Sequence, residues 1–304
     1  MEIYLPIAEM SVNILGILAL GVVTGIFSGM FGVGGGFLTT PFLMFIGIPP
    51  AVAVASSANQ IVASSLTGFL AHHRKGNVDF HIGVLLLLGG LMGSSSGVWL
   101  FTVLKKIGQI DLTISLLYVT LLGSIGTVMA MESFRTLKHT EQQITPAVVT
   151  RFAFFARLPF IIDFPRSKLR LSALLPLGIG FIAGALVSLL GVGGGFFMIP
   201  AMIYFLGMPT SMVIGTSLFQ IIFITANVTF LQAVTIHTVD IILAVLLISG
   251  SVVGAQIGTQ MGSRLPAAKL RALLAIIVLT VALKLAYDLF AKPQDIYSVT
   301  VSSL

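Results

Sequence analysis

The chain has no cysteine and a single tryptophan among its 304 residues, and only 9% of its residues are charged. Without cysteine there is no disulfide, no thiolate metal site, and no cysteine nucleophile or sulfur relay. A soluble domain carries about 25% charged residues, so this charge content excludes an ordinary soluble globular protein. The few charges are also bunched. Asp, Glu, Lys and Arg are absent from Met10 to His73, a run of 64 residues, and again from Leu171 to Val239, a run of 69. A membrane-spanning helix needs about 20 apolar residues, so each run has room for two or three crossings. With 57% apolar residues and a mean hydropathy of +1.08, the sequence reads as a polytopic, all-α integral membrane protein. The net charge of +6 is no sign of nucleic acid, because seven of the sixteen basic residues fall between positions 132 and 171, where membrane topology accounts for them. No set of nucleophile, base and orienting acid occurs, and no Gly-Lys-Ser/Thr phosphate loop. Neither catalysis nor ATP-driven pumping is expected, and neither is a cofactor or a metal. The start, Met1-Glu2-Ile3-Tyr4, lacks a basic leader region, so the first apolar stretch is expected to remain as a helix.

What the chain does have is a repeat. Gly32-Val33-Gly34-Gly35-Gly36-Phe37 recurs as Gly191-Val192-Gly193-Gly194-Gly195-Phe196, and Pro41 matches Pro200 at the same offset of 159. After one inserted residue, Gly47-Ile48-Pro49 matches Gly207-Met208-Pro209, and Ser56, Ser57 and Gln60 match Thr216, Ser217 and Gln220. After another, Val78-Asp79 matches Val239-Asp240, while Gly93 and Gly97 match Gly254 and Gly258. This gives a first transmembrane repeat in residues 1–131, a basic connector at 132–171, and a second repeat at 172–304. Five helical segments are predicted in each: 12–31, 36–47, 50–71, 80–104 and 111–131, then 172–190, 195–206, 209–231, 240–262 and 268–290. Eight to ten of these are membrane segments, with helix breaks at the glycines. In the connector, Phe152-Ala153-Phe154-Phe155 between arginines is either an interfacial amphipathic segment or part of a loose linker.

Charge sets the orientation. The connector, with Arg135, Lys138, Arg151, Arg157, Arg166, Lys168 and Arg170, is expected to be cytoplasmic. Counting crossings outward puts Arg74-Lys75 and the Arg264, Lys269, Arg271 turn inside, and both termini outside. Lys105-Lys106 then falls outside and is the one pair against the scheme. Corresponding loops of the two halves lie on opposite faces, so the repeats are inverted. Inverted repeats with interrupted helices are a recurrent plan of secondary transporters, with the substrate site near the midplane.

The glycine runs break any helix. Where the chain restarts, the free N–H groups and the positive end of the helix dipole favour an anion, and successive glycines can form a nest of N–H groups. On this reading Gly34, Gly35 and Gly36 face Gly193, Gly194 and Gly195 and hold one anion between them. The alternative is that the glycines only allow close helix packing. The third segment of each half adds polarity: Ser57, Asn59 and Gln60, with Ser56, Ser64 and Thr67, and in the second half Thr216, Ser217, Gln220 and Asn227. These either line the pathway and ligate an oxyanion, or hold helices together by hydrogen bonds. Asp79, Asp111 and Asp240 fall at helix starts as caps, and Asp288 lies four residues after Lys284 as a surface ion pair. No carboxylate is left for a cation site at the midplane. His72-His73 beside Arg74-Lys75 reads as an interfacial basic cluster rather than a pH-sensitive gate, and His237 as an outer-loop residue.

The doubled Gly-x-Gly-Gly-Gly-Phe with its following proline, the Ser/Thr-Ser and Asn/Gln-bearing helix and the Gly93/Gly97 and Gly254/Gly258 helices resemble the sulfite exporter family TauE/SafE. The resemblance implies a permease of the bacterial inner membrane that exports small sulfur-containing oxyanions such as sulfite or organosulfonates. Its partners would be that substrate and membrane lipid, with no nucleic acid. Related thiosulfate importers depend on pathway cysteines, which this chain lacks. From the residues alone, an exporter working by alternating access and a passive anion channel of the same fold both remain open.

Overall fold

The computed structural model describes residues 2–138, 160–164, 166–167, 169–236, 238–262 and 267–291. Among them a short antiparallel hairpin, β1 (Glu2–Leu5) and β2 (Met10–Asn13), leads into α1 (Ile14–Phe31), α2 (Gly36–Phe45), α3 (Pro50–Arg74), α4 (Phe80–Lys106) and α5 (Ile110–Lys138). The order then repeats: hairpin β3 (Ile161–Phe164) and β4 (Leu169–Ser172), then α6 (Leu174–Leu190), α7 (Gly195–Tyr204), α8 (Thr210–Thr235), α9 (Ile241–Gly262) and α10 (Ala267–Phe290). Six of these helices are long and apolar enough to cross a membrane, and large apolar side chains such as Leu15, Trp99 and Leu283 stand exposed on the outer surface. The protein is an all-α, multi-pass membrane protein.

Local signals place the helix ends. The Asn13 side chain accepts from Leu15 N and Gly16 N at the start of α1, and Gly32, at φ 70°, closes it with a hydrogen bond to Ser28 O. Pro50 opens α3 at the first turn, where its missing N–H has no cost. Asp79 caps α4 through His81 N and Ile82 N, and Asp240 caps α9 through Leu243 N. Asp111 stands in the first turn of α5 rather than at its cap. The pair Lys284–Asp288 forms as expected, at 3.2 Å on the surface of α10.

The two halves interlock. Helix α1 packs along α9, and α4 along α6, so the first helix of each repeat lies against the fourth helix of the other. Glycine stripes allow this: a Cβ on Gly21 would lie 2.8 Å from Leu247 O, and Gly25 and Gly29 lie against the Ser251 and Ala255 backbones, while Gly89 and Gly93 of α4 lie against Leu177 and Phe181 of α6. These helices approach backbone to backbone, as small residues allow in membranes where lipid removes the hydrophobic drive for association. Counterparts α3 and α8 cross antiparallel, with Phe69 against Phe219 and Gly68 against Leu218. Contacts across the molecule come in reciprocal pairs. Asp79 N donates to Thr216 Oγ1 at 2.9 Å and Asp240 N to Ser56 Oγ at 3.2 Å; Ser57 Oγ donates to Gly191 O and Ser217 Oγ to Gly32 O. Such reciprocity is the mark of a two-fold relation. Because α3 and α8 run in opposite directions, the rotation turns one repeat over relative to the other.

Three features depart from the sequence expectation. The hairpins were not expected; their four-residue strands carry too little alternation to be read alone, and each is tied to a distant helix start. Ile7 N donates to Asp240 Oδ2 at 3.1 Å, and Ser167 Oγ donates to Asp79 Oδ2 at 2.6 Å. Helix α5 runs seven residues into the segment read as connector. Lys105, the cation that opposed the charge scheme, donates through Nζ to Ile236 O at the end of α8, where the helix dipole favours a positive charge. The Phe152–Phe155 segment, His237 and Arg264 lie outside the described residues.

Candidate functional site

The glycine loops lie at the centre of the molecule, and residues 32–36 and 191–195 are all buried. Gly34 and Gly35 have φ of 89° and 74°, and Gly193 and Gly194 of 79° and 72°, the left-handed region that only glycine enters without strain. Gly36 and Gly195 are needed for another reason. A Cβ on Gly36 would strike Gly191 O, and one on Gly195 would lie 2.6 Å from Val33 O, so the two loops touch through their backbones. Just beyond, Phe37 and Phe196 stack at 5.3 Å, and Ile61 and Ile221 close over Gly34. The N-termini of α2 and α7 thus meet at the two-fold, and neither has a side-chain cap. Gly36 N is already bonded to Gly34 O at 2.9 Å; an N–H group left without a partner at such an end suits an anion.

The loops are held in place by the serines of the third segments. Ser57 donates to Gly191 O at 3.4 Å and to Val54 O at 3.0 Å, and shares a 2.7 Å hydrogen bond with Thr40. Ser217 does the same toward Gly32 O and Ile214 O. Tyr118, wholly buried on α5, donates to Leu190 O just before the second loop. These side chains spend their hydroxyl protons on main-chain carbonyls at helix ends. Asn59 turns away from the loops, half-buried, and donates to Ala55 O one turn back on its own helix. Asn227 donates to Ser94 and Ser95 and joins α8 to α4, the helix-holding role.

The repeated glutamines differ from this pattern. Gln60 is fully buried and donates through Nε2 to Thr24 Oγ1 at 2.7 Å. The Thr24 proton goes to Leu20 O at 2.9 Å, so Thr24 must accept from Gln60, which leaves Gln60 Oε1 without a partner. Gln220 is equally buried, and neither Nε2 nor Oε1 has a partner. Its neighbours explain why: the counterparts of Thr24, Ser28 and Ser64 are Ala183, Val187 and Ile224, none able to hydrogen-bond. A buried amide left unpaired costs about 1–3 kcal/mol for each polar group. Three further polar residues near the first loop were not singled out from sequence. Thr24 and Ser28 lie four apart on α1, a spacing that could have flagged them; Ser28 bonds Ser64 at 3.3 Å and packs against Gly35. Ser65 gave no sequence signal beyond its hydroxyl.

Comparison with known proteins places the chain. Residues 17–285 match the family model "Sulfite exporter TauE/SafE", which spans both repeats and both glycine loops. The chain belongs to this family. It is 27% identical over 279 residues to the "Probable membrane transporter protein YjnA" of Bacillus subtilis (strain 168), covering 91% of this chain and 100% of that one. It is also 23% identical over 280 residues to YunE of the same organism, described in the same words, covering 90% and 97%. A "Probable membrane transporter protein" of Xylella fastidiosa (strain 9a5c) is 28% identical over 205 residues, 66% of this chain and 67% of that one. No solved structure matches the chain. Family and relatives together make it a membrane transporter.

Proposed function

We propose that this transporter is a secondary exporter of small sulfur-containing oxyanions, sulfite or organosulfonates, in the bacterial inner membrane. It would work by alternating access, one repeat rocking against the other about the paired glycine loops. One observation carries the reading: two uncapped helix N-termini meet at the two-fold, beside α3 and α8, whose glutamines keep buried, unpartnered amide atoms. Donors fixed in a water-free interior bind an anion without reorganising, and the described residues supply no acidic group at that depth to hold a cation. Gln220 Nε2 is the amide donor free for the oxyanion. Gln60 presents an acceptor and is matched to a proton-bearing oxygen of the substrate or to water. The burial of both loops favours a transporter over a channel, which needs a continuous pore.

The test is counterflow of labelled sulfite in reconstituted vesicles. Saturable uptake stimulated by unlabelled sulfite on the far side supports the exporter. Single-channel current with no such stimulation supports the channel instead, and no sulfite movement of either kind overturns the oxyanion reading.

A further inference from the structure

The two glycine loops have nearly the same backbone but different surroundings. Gly35 lies 3.0 Å (from its Cβ position) from Thr24 O and 3.1 Å from Ser28 Cβ, whereas Gly194 lies 2.8 Å from a methyl of Val187 and 3.9 Å from Ala183 Cβ. The same contrast holds on the third segments. In the second half, Thr225 donates its hydroxyl back along its own helix to Ile221 O at 2.7 Å. Its counterpart Ser65 makes no such bond. Ser65 Oγ is fully buried and has no hydrogen-bond partner, and it lies 3.5 Å from the Cβ position of Gly34. Most hydroxyls on these helices, Ser57, Ser64, Thr67 and Ser217 among them, bond a carbonyl three or four residues back. Ser65 leaves that bond unmade, and its Oγ lies beside the first loop.

We propose that Ser65 is a binding residue of the oxyanion subsite at the first loop. One oxygen of the anion accepts the Phe37 N–H at the N-terminus of α2, where Gly36 N is already bonded to Gly34 O, and another accepts the Ser65 hydroxyl. Two observations meet here: a ten-residue helix with no side-chain cap, and a buried hydroxyl with no partner beside Gly34, two residues before that helix starts. At the second loop Thr225, the counterpart of Ser65, is bonded to Ile221 O, and the unpartnered group is the Gln220 amide. The assignment rests on the oxyanion reading above and adds to it a side chain that binds the anion. Sulfite and sulfonates carry two or more unsubstituted oxygens on one centre and can accept from both donors.

The experiment is calorimetric titration of sodium sulfite into the purified full chain and into Ser65→Ala and Thr225→Val. A hydrogen bond to a charged group is worth about tenfold or more in affinity. Ser65→Ala is expected to weaken sulfite binding at least tenfold, and Thr225→Val to change it less than twofold. Without sulfite, Ser65→Ala should melt at the same temperature as the parent or higher, since it removes a hydroxyl with no partner. Equal affinity of Ser65→Ala and parent, equal loss in both variants, or a Ser65→Ala protein that melts lower or fails to fold each overturns the subsite while leaving the oxyanion reading standing. A parent that binds no sulfite, sulfate or sulfonate overturns both.

Discussion

Gly35 packs on Thr24 and Ser28, while Gly194 packs on Val187 and Ala183. Gln60 finds Thr24 at 2.7 Å, while Gln220 in the matching place finds no partner. The backbones agree because positive φ and loop-to-loop contact leave few alternatives, and glycine meets both demands in each half. Side chains around the loops are under no such constraint. The comparison separates two parts of a repeat: a symmetric part that makes the break in the helices, and an unsymmetric lining to which the proposal above assigns part of the ligand chemistry.

The largest effect to expect concerns orientation, since it is all or none. Single cysteines at Asn77 and Thr235, in a chain otherwise free of cysteine, should react with impermeant reagents from opposite sides of the membrane. Reaction of both from one side would end the inverted relation and the midplane argument with it. Next come the residues where the loops touch. Gly36→Ala and Gly195→Ala each drive a Cβ onto the opposite loop's main chain, which cannot give way as a side-chain tip can. Overpacking of this kind costs about 1–3 kcal/mol and sometimes more, so both variants should lose monodisperse protein and melt lower to a similar degree. A large difference between them would show that one loop yields, and would shift the hinge to that side. The smallest effect sharpens the contrast in lining. Ala183→Thr offers Gln220 the partner that Thr24 gives Gln60, and a buried hydrogen bond adds a net of about 0.5–1.5 kcal/mol. The variant should melt a few degrees higher, and sulfite exchange should slow because Gln220 is now occupied. Higher stability with unchanged exchange would remove Gln220 from the pathway.

The helices were almost wholly legible. The predicted segments agree with α1 to α10 to within a few residues, apart from the longer α5, because charge-free runs, glycine breaks and aspartate caps act locally and leave their mark in the sequence. The polar residues were legible only as a set. Asn59 and Gln60 are neighbours in the chain, yet one folds back on its own helix and the other reaches α1. Sequence position gives the face of a helix and not the element that faces it. Ser65 shows the same limit: its place against Gly34 depends on how α3 lies across the first loop.

By itself the sequence determined that this is a helical membrane protein, that it is doubled, where its helices break, and to which family it belongs. Each of these follows from composition, spacing or the conformational freedom of glycine, which are properties of short stretches of chain. The tertiary structure decided which helices pair across the repeats, that a hairpin from one repeat straps a helix start of the other, and that two loops of one sequence motif sit in unlike surroundings. Those depend on contacts between residues far apart in the chain, such as Ser167 with Asp79 at a separation of 88 residues and Ile7 with Asp240 at 233. No local pattern encodes such a meeting, because it is fixed only when whole helices pack.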